Sequence, residues 1–226
     1  MATSGSRDFQ PDVAEWIEEA YERCGLEMRT AYDARTARRS LNILFADWAN
    51  RGLNQWTINN VSQTLTQGTE SYDLNSYVVD VLDVILRRTT NSVATDYQMT
   101  QVGRSEYWNI PSKSTQARPT QYFLDKQETP KIYVWPAPEN STDVIKMNQI
   151  LRIEDADASA NDVQVPFRFY PCLAAGLAYY ISLKRAPNRT QMLKAIYEEE
   201  FERAMGEDRD RSSFTVTPEY SYFRTN

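Results

Sequence analysis

Histidine is absent from this chain of 226 residues. That absence excludes Ser-His-Asp and Cys-His catalysis, His-ligated metals and imidazole-based pH switching. Cysteine is scarce. Cys24 and Cys172 are too few for a disulfide framework or a four-thiolate zinc site. The seven glycines are less than half the average share of about 7%. No two of them stand close together, so neither the dinucleotide-binding glycine fingerprint nor a phosphate-binding P-loop is present. Long apolar runs are missing too: the densest, residues 77–86, is broken by Asp80 and Asp83, far short of the roughly 18 apolar residues a membrane span needs. Residues 1–10 lack the apolar centre of a secretory signal, so the N-x-S/T triplets at Asn60, Asn140 and Asn188 carry no weight. These absences lead to the expectation of a soluble, intracellularly made protein outside the common enzyme classes.

Two positive features remain. The charge is 25 Lys+Arg against 31 Asp+Glu, net −6, which argues against holding phosphate backbones by bulk electrostatics. Aromatic residues reach 12%, with 14 tyrosines and 5 tryptophans. Such enrichment fits either large protein–protein interfaces or a tyrosine-rich core.

The pattern along the chain predicts an α+β fold. Residues 1–53 read as a helical pair. Asp12 with Glu15, and Thr30 with Asp33, form capping boxes. Apolar residues at helical spacing follow each: Val13, Trp16, Ile17, Ala20, Tyr21 and Cys24 in the first helix, Ala34, Ala37, Leu41, Leu44, Phe45 and Trp48 in the second. Gly25 and Gly52 supply the stops. Residues 54–152 change to period two and predict an inserted antiparallel sheet or small sandwich. Strands are expected at 55–65, at 70–74 as its return, at 81–89, at 143–152, and in a hairpin of 121–125 with 131–135. Residues 105–119, with mixed polarity and two prolines, predict a long surface loop. Residues 153–211 form a second helical pair, opened by Pro166 and divided at Pro187, with Asn188 and Gln191 opening the last helix. Residues 212–226, SSFTVTPEYSYFRTN, show no helical period and contain Pro218; they predict an extended C-terminal tail. The four helices should form one bundle.

Four segments in this order carry a resemblance: SLNILFADWANRGLNQWT (40–57), YDL (72–74), RPTQYFLDKQETPKIYVWPAPE (118–139) and RIEDADASANDVQVPFRFYPCLAAGLAYYISLK (152–184). The series resembles the head-to-tail adaptor proteins of tailed double-stranded-DNA phages, also called tail accessory or packaged-DNA stabilisation proteins, over residues 12–211. The resemblance implies a non-enzymatic connector, made in the host cytoplasm and carried in the virion neck. It also implies a homo-oligomeric, dodecameric ring below the portal protein that prolongs the DNA channel, retains the packaged DNA passing through it, and docks a tail hub or nozzle. No membrane contact and no cofactor are implied. The rival expectations are another neck or tail-tube component without portal contact, and a cell-wall glycan hydrolase.

The candidate sites are weighed against plainer readings. In the tail, Phe214, Val216, Tyr220, Tyr222 and Phe223 are too apolar for a solvated terminus. A portal-binding strand is expected there, since family members resembling this chain use a C-terminal extension in that way; a frayed end and a tail folded back on its own subunit are the other readings. Arg29, Arg35, Arg38 and Arg39 cluster at the start of the second helix, and the last three are the candidates. Their expected role is a subunit or portal interface; contact with channel DNA and a solvated face are the other readings. Trp135, in Trp-Pro-Ala-Pro, joins them as an interface residue, with the prolines ending its strand. The acidic segment 155–162 alternates oxygen side chains as a calcium loop does, but Ala160 and Pro166 stand where that loop requires Gly and Glu. A solvated loop accounts for it better. Glu154 with Asp155, and residues 198–200, can be imagined as acid/base pairs for glycan chemistry, but nothing in the sequence places two such carboxylates across a cleft. Both cysteines sit on expected apolar helix faces and read as inert thiols.

Overall fold

The computed structural model describes residues 5–52 and 55–208. The expected extended tail, residues 212–226, lies outside them. Five α-helices and ten strands are found among the described residues, giving an α+β fold. The helices are α1 (Val13–Arg23), α2 (Ala31–Arg51), α3 (Arg104–Trp108), α4 (Tyr170–Arg185) and α5 (Thr190–Glu207).

Both N-terminal capping boxes are made. Asp12 accepts from the Glu15 amide while Glu15 accepts from the Asp12 amide, and Thr30 and Asp33 repeat the exchange. Each satisfies two of the donors that a helix start leaves open. Gly25 follows α1 with φ +69°, in the left-handed region that glycine enters most easily. α4 is the hub of the bundle: Cys172, Leu173, Leu177 and Ile181 are buried with Ile17, Leu41, Leu44 and Tyr197 in one continuous core. Gly176 permits this packing, because a Cβ there would stand 2.9 Å from side-chain carbons of both Leu44 and Tyr197. Two starts differ from the sequence expectation. Pro166 precedes a short 3-10 turn, Phe167–Phe169, instead of opening α4 directly. That turn rotates the apolar phase and leaves Phe167 on the surface. Asn188 lies in a second 3-10 turn, Pro187–Arg189, and makes no cap for α5.

The strands are β1 (Ile58–Thr64), β2 (Ser71–Asp73), β3 (Val78–Thr90), β4 (Val93–Gln98), β5 (Thr100–Gln101), β6 (Gln116–Ala117), β7 (Gln121–Asp125), β8 (Lys131–Trp135), β9 (Ala137–Pro138) and β10 (Val144–Leu151). One antiparallel sheet runs β1-β10-β3-β4; a second runs β2-β8-β7-β5. Val84, Leu86, Ile145 and Met147 of the first share a core with Tyr122, Leu124, Ile132 and Val134 of the second. The module is therefore a small sandwich. Two short parallel pairings, β5 with β7 and β6 with β9, depart from the purely antiparallel expectation.

Three further expectations are corrected. β2 does not return along β1: it pairs with β8 in the opposite sheet, while β1 pairs with β10 from Ile58↔Ile150 to Thr64↔Val144. β3 runs on to Thr90 and turns through Asn91 and Ser92, both at positive φ, into β4, an exposed edge strand without apolar alternation. Residues 105–119 are not simply a loop. They include α3 and β6, and Tyr107 is buried with Phe123 and Val102 on the outer face of the second sheet. This cover explains why Tyr122, Phe123 and Leu124 are apolar in succession: β7 is buried on both faces.

Candidate interaction surfaces

The arginine cluster of α2 divides in two. Arg38 donates from Nη1 to the Asp157 carbonyl, and Asn42 Oδ1 accepts from the Ala156 amide at 2.8 Å. The acidic loop is thereby folded over α2. The Asn161 and Ser159 carbonyls then accept from the Val13 and Ala14 amides at 3.0 Å each. The loop spends its backbone on fixing the bundle, and among the described residues no group of His, Cys, Asp or Glu is placed to hold a metal ion. Arg35 and Arg39 point to solvent and make no hydrogen bond or ion pair with described residues. Lys184 lies close by, its ammonium donating to Ser40 Oγ at 2.7 Å. Burial lowers the Lys184 pKa, and the charge of Arg39 lowers it further. The outward result is a small cationic face on an acidic protein.

Trp135 is engaged within the subunit. It is half-buried, and its indole N–H donates to the Ser112 carbonyl at 3.2 Å. Lys113 Nζ donates to the Trp108 and Ile110 carbonyls at 3.2 and 3.1 Å, over the ring of Trp108. Arg104 pairs with Asp125 above the ring of Phe123. Tyr107 stacks on Phe123 with ring centroids 5.6 Å apart. Its hydroxyl is buried without a partner among the described residues, as is Glu70 Oε2. Burial, then the Glu70 charge, push the Tyr107 phenol up to about 12. The side chain this plug presents outward is Trp108, 55% exposed. Only the fold distinguishes Trp108 from its buried neighbour Tyr107, because five helical residues are too few to show a period.

A third surface escaped the sequence reading. Beside α1 and the start of α4 lies an apolar groove of about 600 Å³, lined by Phe9, Trp16, Phe167, Tyr170, Pro171 and Arg168 among others. Tyr170 is its hub, with ring centroids 5.0 Å from Trp16, 5.4 Å from Phe167 and 6.3 Å from Phe9. Phe9 and Phe167 are 67% and 72% exposed. The Trp16 indole N–H is buried with no acceptor among the described residues, an omission that typically costs about 1–3 kcal/mol. Clustered exposed aromatics of this kind mark interaction sites. The groove joins residues more than 150 positions apart, so no local motif announces it.

Four of the five carboxylates considered for glycan chemistry, all but Glu154, are tied into ion pairs. Asp155 pairs with Arg152 at 3.0 Å, Glu198 with Arg51 at 2.6 Å, and Glu199 and Glu200 with Arg203 at 2.8 Å. Cys24 donates its thiol to the Ala178 carbonyl, and burial pushes the Cys172 thiol up to about 12, so neither is primed as a thiolate. Arg35 and Arg39 lie on the bundle and Trp135 on the sandwich, so the expected interface residues do not form one local cluster. Phe214, Val216, Tyr220, Tyr222 and Phe223 fall outside the described residues.

The model of the SU10 adaptor protein family matches residues 7–219, nearly the whole chain. No curated protein matches it. The chain belongs to the SU10 adaptor protein family. Its class is that of a structural phage adaptor, a virion component that interacts with other virion components, and the family is not an enzymatic one.

Proposed function

We propose that this SU10-family adaptor is a head-to-tail connector. Its subunits form a dodecameric ring below the portal protein, in the virion neck. The ring extends the DNA channel, retains the packaged DNA and docks a tail hub or nozzle. The observation that carries the reading is the set of groups left unspent inside the subunit: Arg35 and Arg39 on the bundle and Trp108 on the sandwich. Arg38 and Trp135 contribute to the proposed subunit and portal interface indirectly, by holding the acidic loop and the sandwich plug in place. A net charge of −6 per subunit lets DNA slide through such a ring without being gripped.

The C-terminal residues Phe214, Val216, Tyr220, Tyr222 and Phe223 dock on the portal by adding an extended segment to it. The test is complementation of particles lacking the protein. Truncation after Arg211 should leave a folded subunit that no longer attaches to portal-bearing heads. Normal attachment by the truncated chain overturns portal docking through the tail, and a ring imaged further down the tail overturns the placement. Trp108→Ala should preserve portal attachment and weaken the tail-side step. Loss of portal attachment by that variant reverses the proposed orientation.

A further inference from the structure

We infer that the aromatic groove between α1 and α4 is the docking site for the chain's own C-terminal segment in the free subunit. The described chain ends at Asp208, whose carboxylate accepts from Arg168, itself part of the groove lining. Asp208 also accepts from the Gln55 amide at 3.1 Å. The last described residue is therefore tied to the lining of the groove. Residues 209–226 carry Phe214, Tyr220, Tyr222 and Phe223. Six residues from Asp208 to Phe214 reach at most about 20 Å, whereas the α1 wall from Glu15 to Arg23 is about 12 Å long. The segment can thus lie along the whole groove with residues to spare.

The chemistry matches as well. The groove offers the faces of Phe9, Tyr170 and Phe167, which suit aromatic rings packed edge-to-face. The Trp16 N–H lacks an acceptor among the described residues, and an extended backbone laid in the groove brings carbonyls past it. The subunit thus stores its exposed aromatic tail on itself, which limits unwanted association before assembly. The inference does not need the portal reading, although the same segment serves both.

The experiment uses the full chain with a photoreactive benzophenone analogue of phenylalanine at position 167, an exposed site. Irradiation of the dilute free protein, without portal, should cross-link position 167 to residues 214–224 of the same molecule. Mixing isotopically heavy and light chains distinguishes the same molecule from a second copy. Cross-links to other segments, to a second copy, or none to 212–226, overturn the inference. Tyr222→Ala with Phe223→Ala should reduce the docked-to-free ratio about tenfold or more, as loss of buried aromatic anchors does. An unchanged ratio also overturns it. Portal attachment is scored separately on assembled particles, so groove docking and portal docking can fail independently.

Discussion

In the bundle, the buried hydroxyl of Tyr197 accepts from the Trp48 indole at 3.1 Å and donates to Asp47 at 2.9 Å. In the sandwich, the equally buried hydroxyl of Tyr107 meets no partner among the described residues. The contrast extends outward. Asp47 and Glu198 both pair with Arg51, whose guanidinium lies over the Tyr197 and Phe201 rings. This network links α2 to α5, elements almost 150 residues apart. The sandwich is held by strand ladders, some between hairpin neighbours, β3 with β4 and β7 with β8, and others between strands far apart in sequence, β1 with β10 and β2 with β8. It carries a separate aromatic plug on its second sheet. Helices that join the two ends of a chain use directional polar contacts to fix their partners, whereas in a sheet the backbone ladder and its register already do so.

The largest effects should come from the two cores. Trp48 is fully buried against Phe45, Phe169 and Phe201, and Trp48→Ala should cost about 3–5 kcal/mol. Ile132 is fully buried between the two sheets, and Ile132→Ala should cost about 2–5 kcal/mol. The bundle core and the sandwich core are separate clusters, so we expect each variant to lower its own calorimetric transition, by roughly 4–8 °C per kcal/mol for units of about 100 residues. A single transition moved equally by both variants would make the two regions one cooperative unit and dissolve the comparison.

The regions also differ in how much of them was legible beforehand. The capping boxes at Asp12 and Thr30 are local, so both N-terminal helices could be read directly. The hairpin of β7 and β8 has the limits read from its alternation, Gln121–Asp125 and Lys131–Trp135. Partner choice was harder. β2 is three residues long, and nothing in Ser71–Asp73 says which sheet it joins. β4 was missed because an edge strand on which only Tyr97 is partly buried has no apolar phase to detect. The interaction surfaces were the least legible. Arg38 and Arg39 are adjacent in sequence, yet one is spent on the Asp157 carbonyl and the other is free of described partners. The groove exists only once residues 9–23 and 167–174 are brought together.

The same substitution made in both regions should give opposite signs. Tyr197→Phe strands the Trp48 N–H and one Asp47 interaction, and should destabilise by about 1–3 kcal/mol. Tyr107→Phe removes a hydroxyl that already lacks a partner, so it should be neutral or stabilising by up to about 1 kcal/mol. Denaturant midpoints at constant m-value measure both. If Tyr107→Phe costs as much as Tyr197→Phe, the plug hydroxyl has a partner after all and the contrast fails.

The smallest expected effect is electrostatic and depends on pH. The hydrogen bond from Arg51 holds the Glu198 carboxyl below the usual glutamate range. A carboxyl with a depressed folded pKa binds its proton more readily in the unfolded chain. Its contribution is therefore complete above the unfolded value, near pH 4.3, and is lost as pH falls through the lower folded value. The Glu198 side chain is 38% exposed, so solvent screening holds the pair to about 0.5–1 kcal/mol at neutral pH. Glu198→Gln should destabilise by that amount at pH 7, and the difference from the parent should shrink to nothing once Glu198 is protonated in the folded parent. In the sandwich, the corresponding pair is Arg87 with Asp96, whose carboxyl is also held low by its arginine. It lies on the exposed β3–β4 ribbon, without aromatic rings over the guanidinium. Asp96→Asn should therefore respond more strongly to added salt than Glu198→Gln, because a Debye length of about 3 Å at 1 M screens open pairs first. Equal salt sensitivity in the two variants would mean that the Arg51 network draws no protection from the rings of Tyr197 and Phe201.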